Sequence, residues 1–505
     1  MRIALDDLPT DTELLQQLVR DLAGALDEGQ TEIDRLQLII RQFQRAQFGR
    51  RSEQVDPDQL AFGLEELEAD LARAEARRPG PATTSGDTSA PAKPHRAPLP
   101  THLPRVETVI PVPHDACPDC GGTLNDAGAT NSEMLDWVPA SIRVVRITRP
   151  KCACRACGTL YQAPAPERVL AGGLATPGLI AHVLVSRYCD HLPLYRQSQI
   201  FARHGLEISR STLSGWIGAA CWWLEALHER VVAHVMAGER VFADDTPLPV
   251  LDPGRGKTKT GRLWAYTRDD RPYGGNAPPA VVFIYAPDRK GARPAEHLKT
   301  FRGILQVDGY AGFEALAEGG AITLAACWAH ARRKFYELHE AGSPVATEAL
   351  ARIAEIYRIE VSIRGQAPDE RQRARAERSK PLVEAMHAWL SLQLTRLPGR
   401  SRLAEAIRYA LGRWPALTRF LDDGRIDLDT NPVERSIRPV ALGRRNALFA
   451  GSDGGAARWA TVASLIETAK LNGVEPFAWL HDVLTRMVDG HRASQIEALL
   501  PWSKS

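Results

Sequence analysis

Alternating apolar and polar positions mark a run of strands in the middle of the chain, and helical periodicity marks most of the rest. ERVFADDTPLPVL, GRLWAYTRD and AVVFIYAPD follow one another closely, as the strands of an antiparallel meander do. A helical stretch, ARPAEHLKTF, leads to a fourth strand, GILQVDGY, and then to AITLAACWAHARRKFYEL, a strand running into a helix. Residues 340–425 read as almost entirely helical, with a basic stretch RQRARAERSK. A further helix, DTNPVERSIRPVALGRRN, follows, with Asn431 as N-cap, Pro432 at the first helical position and Glu434 at the third.

The flanks have other patterns. Leu15, Val19, Leu22, Leu26, Ile33, Leu36, Ile40 and Phe43 keep one heptad register, broken only at Gly29, which predicts a coiled coil and self-association. Residues 79–104 are rich in Pro, Ala, Ser and Thr and read as a flexible linker. IRVVRITRPK, Ile142 to Lys151, alternates like a strand. LIAHVLVSRYCDHLPLYRQSQIFARHG and LEISRSTLSGWIGAACWWLEALHERV read as helix, turn and helix. There Ser209 is the N-cap, and Arg210, Ser211 and Thr212 face a DNA groove or its phosphates. A plain helical hairpin with Leu213, Trp216 and Ile217 in its core is the alternative.

Composition narrows the class. The chain has 505 residues, 44% hydrophobic and 25% charged, which predicts several globular domains. No apolar run reaches the roughly 20 residues that span a bilayer, and MRIALDDLPTDTELLQQ is too polar for a signal peptide. The expected location is therefore cytoplasmic, with no membrane partner. A net charge of +2 says little, but local clusters say more. Five arginines and no acid lie between Arg35 and Arg51. Arg143, Arg146 and Arg149 form a second basic cluster, and Arg435, Arg438, Arg444 and Arg445 a third. Clusters of this kind neutralise phosphates.

Five of the eight cysteines fall between Cys117 and Cys157. Cys117-Pro-Asp-Cys120-Gly-Gly and Cys154-Arg-Ala-Cys157-Gly are two knuckles, and four thiolates in that arrangement match tetrahedral structural zinc. Cys152 leaves the ligand choice within CACRAC open, although Cys154 and Cys157 reproduce the two-residue gap. Such a Zn²⁺ site has no open position, so it folds the module and performs no chemistry.

Three acids remain. Asp244 lies in one strand, Asp308 ends another and Glu434 begins a helix. Three converging carboxylates need cations, and two divalent ions about 4 Å apart serve an in-line phosphoryl transfer. Acid on strand, acid on strand and acid on helix, behind a meander, is the order of an RNase H-like nucleotidyl transferase. Asp244 and Asp245 would face opposite sides of a strand, so only one easily reaches a shared ion. A helix cap for Glu434 and a turn for Asp308-Gly309 are the plainer readings of those residues. His330, in CWAH, shapes the site or contacts DNA, with a packed core histidine as the plainer reading.

These stretches carry a resemblance. LIIRQFQRAQFGRRSE, CPDCGGTL, RPKCACRACGTLYQAPAP, LPLYRQSQIFARHGLEISRSTLSGWI, FADDTPLPVLDPGRGKTKTGRLWAY, LQVDGYAGFEAL, CWAHARRKFYEL and NPVERSIRPVALGRRNALFAGSDGGA occur in order. The chain resembles the large transposase of the insertion-sequence-sixty-six family of bacterial mobile elements. The resemblance implies a DDE transposase with Asp244, Asp308 and Glu434 as catalytic Mg²⁺ (or Mn²⁺) ligands, and Asp245 and His330 as accessory candidates. It departs from the family in having Asp-Asp-Thr where Asp-Glu-Thr is frequent, and in having Cys152, which favours Cys154 and Cys157 as zinc ligands. Implied partners are the element's terminal inverted repeats, target DNA, a second copy or more, and small accessory proteins of the same element.

The expected fold is multidomain α/β. It begins with a helical and coiled-coil region, 1–78, the linker 79–104, a zinc ribbon, 105–166, and a helix-turn-helix-like region, 167–236. An RNase H-like mixed sheet, 237–339, is followed by a helical insertion, 340–425, the Glu-bearing helix, 426–475, and a helical tail, 476–505. A non-catalytic DNA-binding regulator is the first rival. A zinc hydrolase is the second, disfavoured because its metal would need His and carboxylate ligands and the clustered ligands here are all sulfur.

Overall fold

The computed structural model describes residues 142–153, 160–252 and 254–504. The predicted coiled coil, the linker and the four cysteines expected to hold zinc lie outside these residues. Two units are distinguished: Pro79–Pro164, and one whose described part is 165–252 and 254–504. In the smaller unit, β1 (Lys151–Ala153) pairs antiparallel with β2 (Leu160–Gln162). The alternating stretch before it is not a strand. Residues 142–150 carry no regular structure, and Val144 is 95% exposed. Alternation needs a partner strand to become a ladder, and within 142–153 only β1 has one. Arg149 is fastened locally, its Nη1 donating to the Ala163 carbonyl (2.9 Å); Arg143 and Arg146 are exposed.

The described part of the larger unit opens with three helices, α1 (Pro177–Tyr188), α2 (Leu194–Arg203) and α3 (Arg210–Met236). Next come β3 (Arg240–Asp252), β4 (Lys257–Arg268), β5 (Ala280–Ala286), α4 (Ala292–His297), β6 (Gly303–Val307), α5 (Glu314–Ala317) and β7 (Ile322–Ala326). The strands form one mixed sheet in the order β5-β4-β3-β6-β7. The meander β3-β4-β5 is antiparallel, while β3, β6 and β7 run parallel. Val241, Phe242, Ala243, Leu263, Trp264, Ala265, Phe283 and Leu305 are fully buried in the sheet.

Helices cover both the sheet and its continuation. After α6 (Trp328–Glu340) come α7 (Pro344–Ser362), α8 (Pro368–Ala374), a π turn, α9 (Lys380–Thr395), α10 (Arg402–Gly412) and α11 (Trp414–Thr418). These helices have their own core around Trp328, Phe335, Ile353, Met386, Ile407 and Phe420. The chain closes with α12 (Asn431–Ala447), α13 (Asp453–Leu471) and α14 (Pro476–Val488). Helices α1, α3, α13 and α14 share one core with the sheet. Helix α13 also satisfies the edge strand. Thr468 Oγ1 accepts from the Val281 amide (3.1 Å) and Ser464 Oγ from the Phe283 amide (2.7 Å), so β5 offers fewer free backbone groups to another strand.

A buried ionic knot ties the helical layer to β3. Asp427 accepts from Arg240 Nη1 and from Arg371 Nη2, each at 2.8 Å. Arg371 and Arg375 also meet Glu360. The Asp427 backbone exchanges two hydrogen bonds with the Gln306 side chain of β6, at 2.8 and 2.9 Å. At the other end of α12, Ala450 bridges to Val250, with the Leu251 amide donating to its carbonyl (2.8 Å) and its own amide donating to the Pro249 carbonyl (2.9 Å).

Candidate active site

Strand register brings the first two acids together. β3 pairs with β6 only over Arg240–Ala243, and the last rung joins Ala243 to Val307. Asp244 and Asp308 are the next residues on either side, so they leave two neighbouring parallel strands, about 4.8 Å apart, on one face. Beyond that point β4 is the only strand beside β3, apart from the bridge to Ala450, and β3 carries Pro247 and Pro249, which cannot donate to a second neighbour. The two acids therefore stand where parallel strands part at their carboxyl ends, the usual crevice of open α/β sheets.

The third acid comes from α12. Its first residues follow Thr430, the N-cap by backbone geometry, so the helix begins at Asn431 and Asn431 does not cap it. Thr430 Oγ1 instead donates to Glu434 Oε1 (2.9 Å). Glu434 is 6% exposed, and its Oε2 is buried with no hydrogen-bond partner. A carboxylate oxygen stripped of water and left without a donor is costly unless a cation completes it.

Charge supports the convergence. Burial, followed by Asp308, Glu434 and Asp245, raises the Asp244 carboxyl well above its ordinary range. Only neighbouring negative charge produces those contributions. Asp429, just before α12, is pushed up to about 7 by burial and by Asp427, with Glu434 contributing. Carboxylates crowded together in this way fit divalent cations, whose charge offsets their repulsion.

Asp245 belongs to a different structure. It faces away, accepting from Arg262 Nη1 and from Arg289 Nε, each at 2.9 Å. Its amide donates to Asp244 Oδ1 (2.7 Å), so it orients the first acid through the backbone. The Tyr310 amide does the same for Asp308 Oδ1 (2.9 Å). Gly309 lets the helical layer approach here: Arg413 Nη2 donates to its carbonyl (3.0 Å), and a Cβ would lie 2.8 Å from Tyr409 Oη.

His330 lies in the first turn of α6, with Nδ1 3.8 Å from Glu434 Oε1. Cys327, His330 and Glu434 place one donor atom each within 4.8 Å of one another. The plainer expectation for His330, a packed core histidine, gives way to a place beside the third acid. Arg444, expected on the DNA side, is turned inward and buried, donating to Thr246 Oγ1 (3.0 Å) and the Pro247 carbonyl (2.6 Å). It holds α12 to β3, because its position on the helix faces the sheet. Arg435 is exposed, Arg438 half-buried and Arg445 half-buried. Arg210, Ser211 and Thr212 are exposed at the start of α3, where Ser209 Oγ accepts from the Thr212 amide (3.1 Å). The Asp427 knot behind the site has no local signal in the sequence, since its partners lie 56 to 187 residues away.

The sequence pattern of the Transposase IS66 family matches residues 172–458, more than half of the chain. The chain belongs to the IS66 transposase family. The IS66 C-terminal element matches residues 464–502, and the zinc-finger binding domain of transposase IS66 matches 114–158, which spans Cys117, Cys120, Cys154 and Cys157. A segment described as transposase C of IS166 homeodomain matches 35–108. Among relatives in Sinorhizobium fredii (strain NBRC 101917 / NGR234), uncharacterized protein y4jD is 43% identical over all of this chain and 98% of its own length. Uncharacterized protein y4qI is 42% identical over all of this chain and 99% of its own length. Uncharacterized protein y4hP is 41% identical over 92% of this chain and 88% of its own. Among the described residues, no helix of this family member is long and apolar enough to cross a membrane.

Proposed function

We propose that this IS66 family member is a DDE transposase with an RNase H-like core, cutting DNA at its element's ends and joining them to target DNA. The observation that carries the proposal is the meeting of Asp244, Asp308 and Glu434, with Glu434 Oε2 buried and unpartnered. These three would hold two Mg²⁺ (or Mn²⁺) ions. When bound, such ions activate an attacking oxygen and neutralise charge on the leaving one. Water attacks phosphorus at the element's end, the P–O3′ bond breaks and a 3′-OH is freed. That 3′-OH then attacks a target phosphodiester, forming a new P–O bond and releasing the target's own 3′-OH. No protein nucleophile is needed, so the chain contributes position and charge.

The remaining parts follow from the same reading. Cys117, Cys120, Cys154 and Cys157 hold one structural Zn²⁺. Exposed Arg435, with Arg438 and Arg445, lies on the helix that bears Glu434 and neutralises phosphates beside the site. Arg143 and Arg146, together with Arg210, Ser211 and Thr212, add DNA contacts, and the heptad segment joins copies into a dimer or larger complex. Small accessory proteins of the element act with it, in the cytoplasm at the nucleoid.

The test is strand cleavage and joining on a labelled duplex carrying the element's end, with Mg²⁺ or Mn²⁺, for the full chain and for Glu434→Gln. Gln keeps the shape and loses the charge. Wild-type cutting, with binding but no cutting by the variant, supports the proposal. Equal cutting by both removes Glu434 from the site. Binding without cutting by both, even with the accessory proteins added, makes the chain a DNA-binding regulator.

A further inference from the structure

We propose that His330 is a fourth ligand at this site, binding through Nδ1 the cation held by Glu434. The inference rests on the metal reading above and extends it to a nitrogen donor that the three acids do not include.

Two neighbouring side chains each carry a buried atom without a partner. His330 Nδ1 is buried and makes no hydrogen bond, although its side chain is 25% exposed; the exposure lies elsewhere on the ring. Glu434 Oε2 is buried and equally without a partner, in a residue 6% exposed. Native structures rarely strand two polar atoms in one place, and a shared cation would satisfy both. The 3.8 Å between His330 Nδ1 and Glu434 Oε1 is too long for a hydrogen bond. It is the right size for a shared ion. Donors about 2.1 Å from one cation stand about 3.0 Å apart at right angles and about 4.2 Å apart in line.

The third nearby group is withdrawn. Cys327 Sγ accepts from the Thr430 amide (3.3 Å) and from the His330 amide. Soft sulfur is a poor match for Mg²⁺ or Mn²⁺, and this sulfur already takes backbone hydrogen bonds. Cys327 thus spaces His330 from Glu434. The imidazole is held in place by its helix: Trp328 Nε1 donates to the Leu417 carbonyl and the Trp328 amide to the Leu428 carbonyl, each at 2.8 Å. One anchor lies in α11 and the other on the segment that leads to α12. An imidazole among carboxylates favours Mn²⁺ over Mg²⁺, because nitrogen donors suit the transition ions.

The experiment is pulsed electron paramagnetic resonance of Mn²⁺ added to the full-length, zinc-loaded protein, comparing wild type, His330→Gln and Glu434→Gln. Circular dichroism establishes that each variant is folded, and His330→Asn replaces His330→Gln if the latter is not. The expected result is imidazole nitrogen coupling to Mn²⁺ in wild type. That coupling is lost in the His330 variant while Mn²⁺ stays bound, and its advantage over Mg²⁺ in competition shrinks. Bound Mn²⁺ without nitrogen coupling in wild type, or coupling that survives in the His330 variant, overturns the proposal and leaves the carboxylate site standing. Mn²⁺ binding that Glu434→Gln does not weaken, or no binding by wild type, removes the metal reading itself and this proposal with it.

Discussion

Asp427→Asn is expected to destabilise the larger unit by about 3–5 kcal/mol, because it leaves buried guanidinium charge without its counter-ion. The wild-type carboxylate takes two hydrogen bonds of 2.8 Å, from side chains that are 0% and 2% exposed. Burial pushes this carboxyl up, and Arg240 and Arg371 more than reverse it, so it titrates below its usual range and is charged at neutral pH. Each charged hydrogen bond contributes about 1.5–3 kcal/mol, against about 1 for the amide's replacement. Arg371 retains Glu360 at 3.4 Å, whereas Arg240 loses the Asp427 carboxylate and keeps carbonyls and the Phe242 and Tyr273 rings. A drop in melting temperature of about 5–10 °C follows for a unit of this size. The assay is thermal unfolding by near-ultraviolet circular dichroism, with hydrogen exchange of 303–308 and 425–434 reading local opening. Glu337→Gln is the control: its pair with Arg402 is exposed and its loss costs under about 1 kcal/mol. A melting temperature for Asp427→Asn within about 1 °C of the control, with unchanged exchange, would falsify the account of the knot as a fastening.

Two further outcomes are expected. His297 is lowered to about 4, by burial and then Arg293, and its Nδ1 meets Tyr266 Oη at 2.9 Å. The folded state therefore binds fewer protons than the unfolded chain, so stability is complete above the ordinary histidine pKa of about 6.5 and is lost as pH falls to about 4. His297→Gln keeps an acceptor for Tyr266 and should flatten urea-derived stability in that window by about 1 kcal/mol per pH unit. His228, lowered to about 4 chiefly by burial, preserves the rest of the slope; an unchanged slope in the variant would show that His297 does not titrate there. Gly309→Ala places a methyl 2.8 Å from Tyr409 Oη and should cost about 1–3 kcal/mol in thermal unfolding. Adding Tyr409→Phe should restore part of that, and additive losses would locate the strain elsewhere.

The strands, and the places of Asp244, Asp308 and Glu434 on a strand, at a strand end and at a helix start, are legible in the sequence because strand alternation and helix starts are local signals. ERVFADDTPLPVL, GRLWAYTRD, AVVFIYAPD, GILQVDGY and AITLAAC correspond to β3, β4, β5, β6 and β7. Ile142–Lys151 alternates as well and is no strand up to Pro150, since pairing depends on a partner that a single segment cannot reveal. The helix start before Glu434 is legible to within one residue, but the role of Thr430 is hidden because its hydroxyl turns to the acid and not to the backbone. Asp245 looks equivalent to Asp244 in sequence. Only the distant Arg262 and Arg289 show that it faces a different environment. Arg444 looks like part of a basic surface because charge suggests exposure, while its helix position dictates that it face β3.

The two attachments of α12 set where this chain can change length. Arg240 grips the approach to α12 at one end of β3, and Pro249 and Leu251 grip its exit at the other. Strand and helix thus lie side by side as two rails, about 3.3 Å per residue in one and 1.5 Å in the other. Adding one residue to the strand rail would turn every later side chain to the opposite face, and adding one to the helix rail would rotate Glu434 by about 100° relative to its exit. Extra residues in the exposed turns between α7 and α11 would leave both rails untouched, at a closure cost of only about 0.6 kcal/mol for a doubled loop. Drift in length within those exposed turns is therefore nearly free, whereas drift between either rail's fastenings is not.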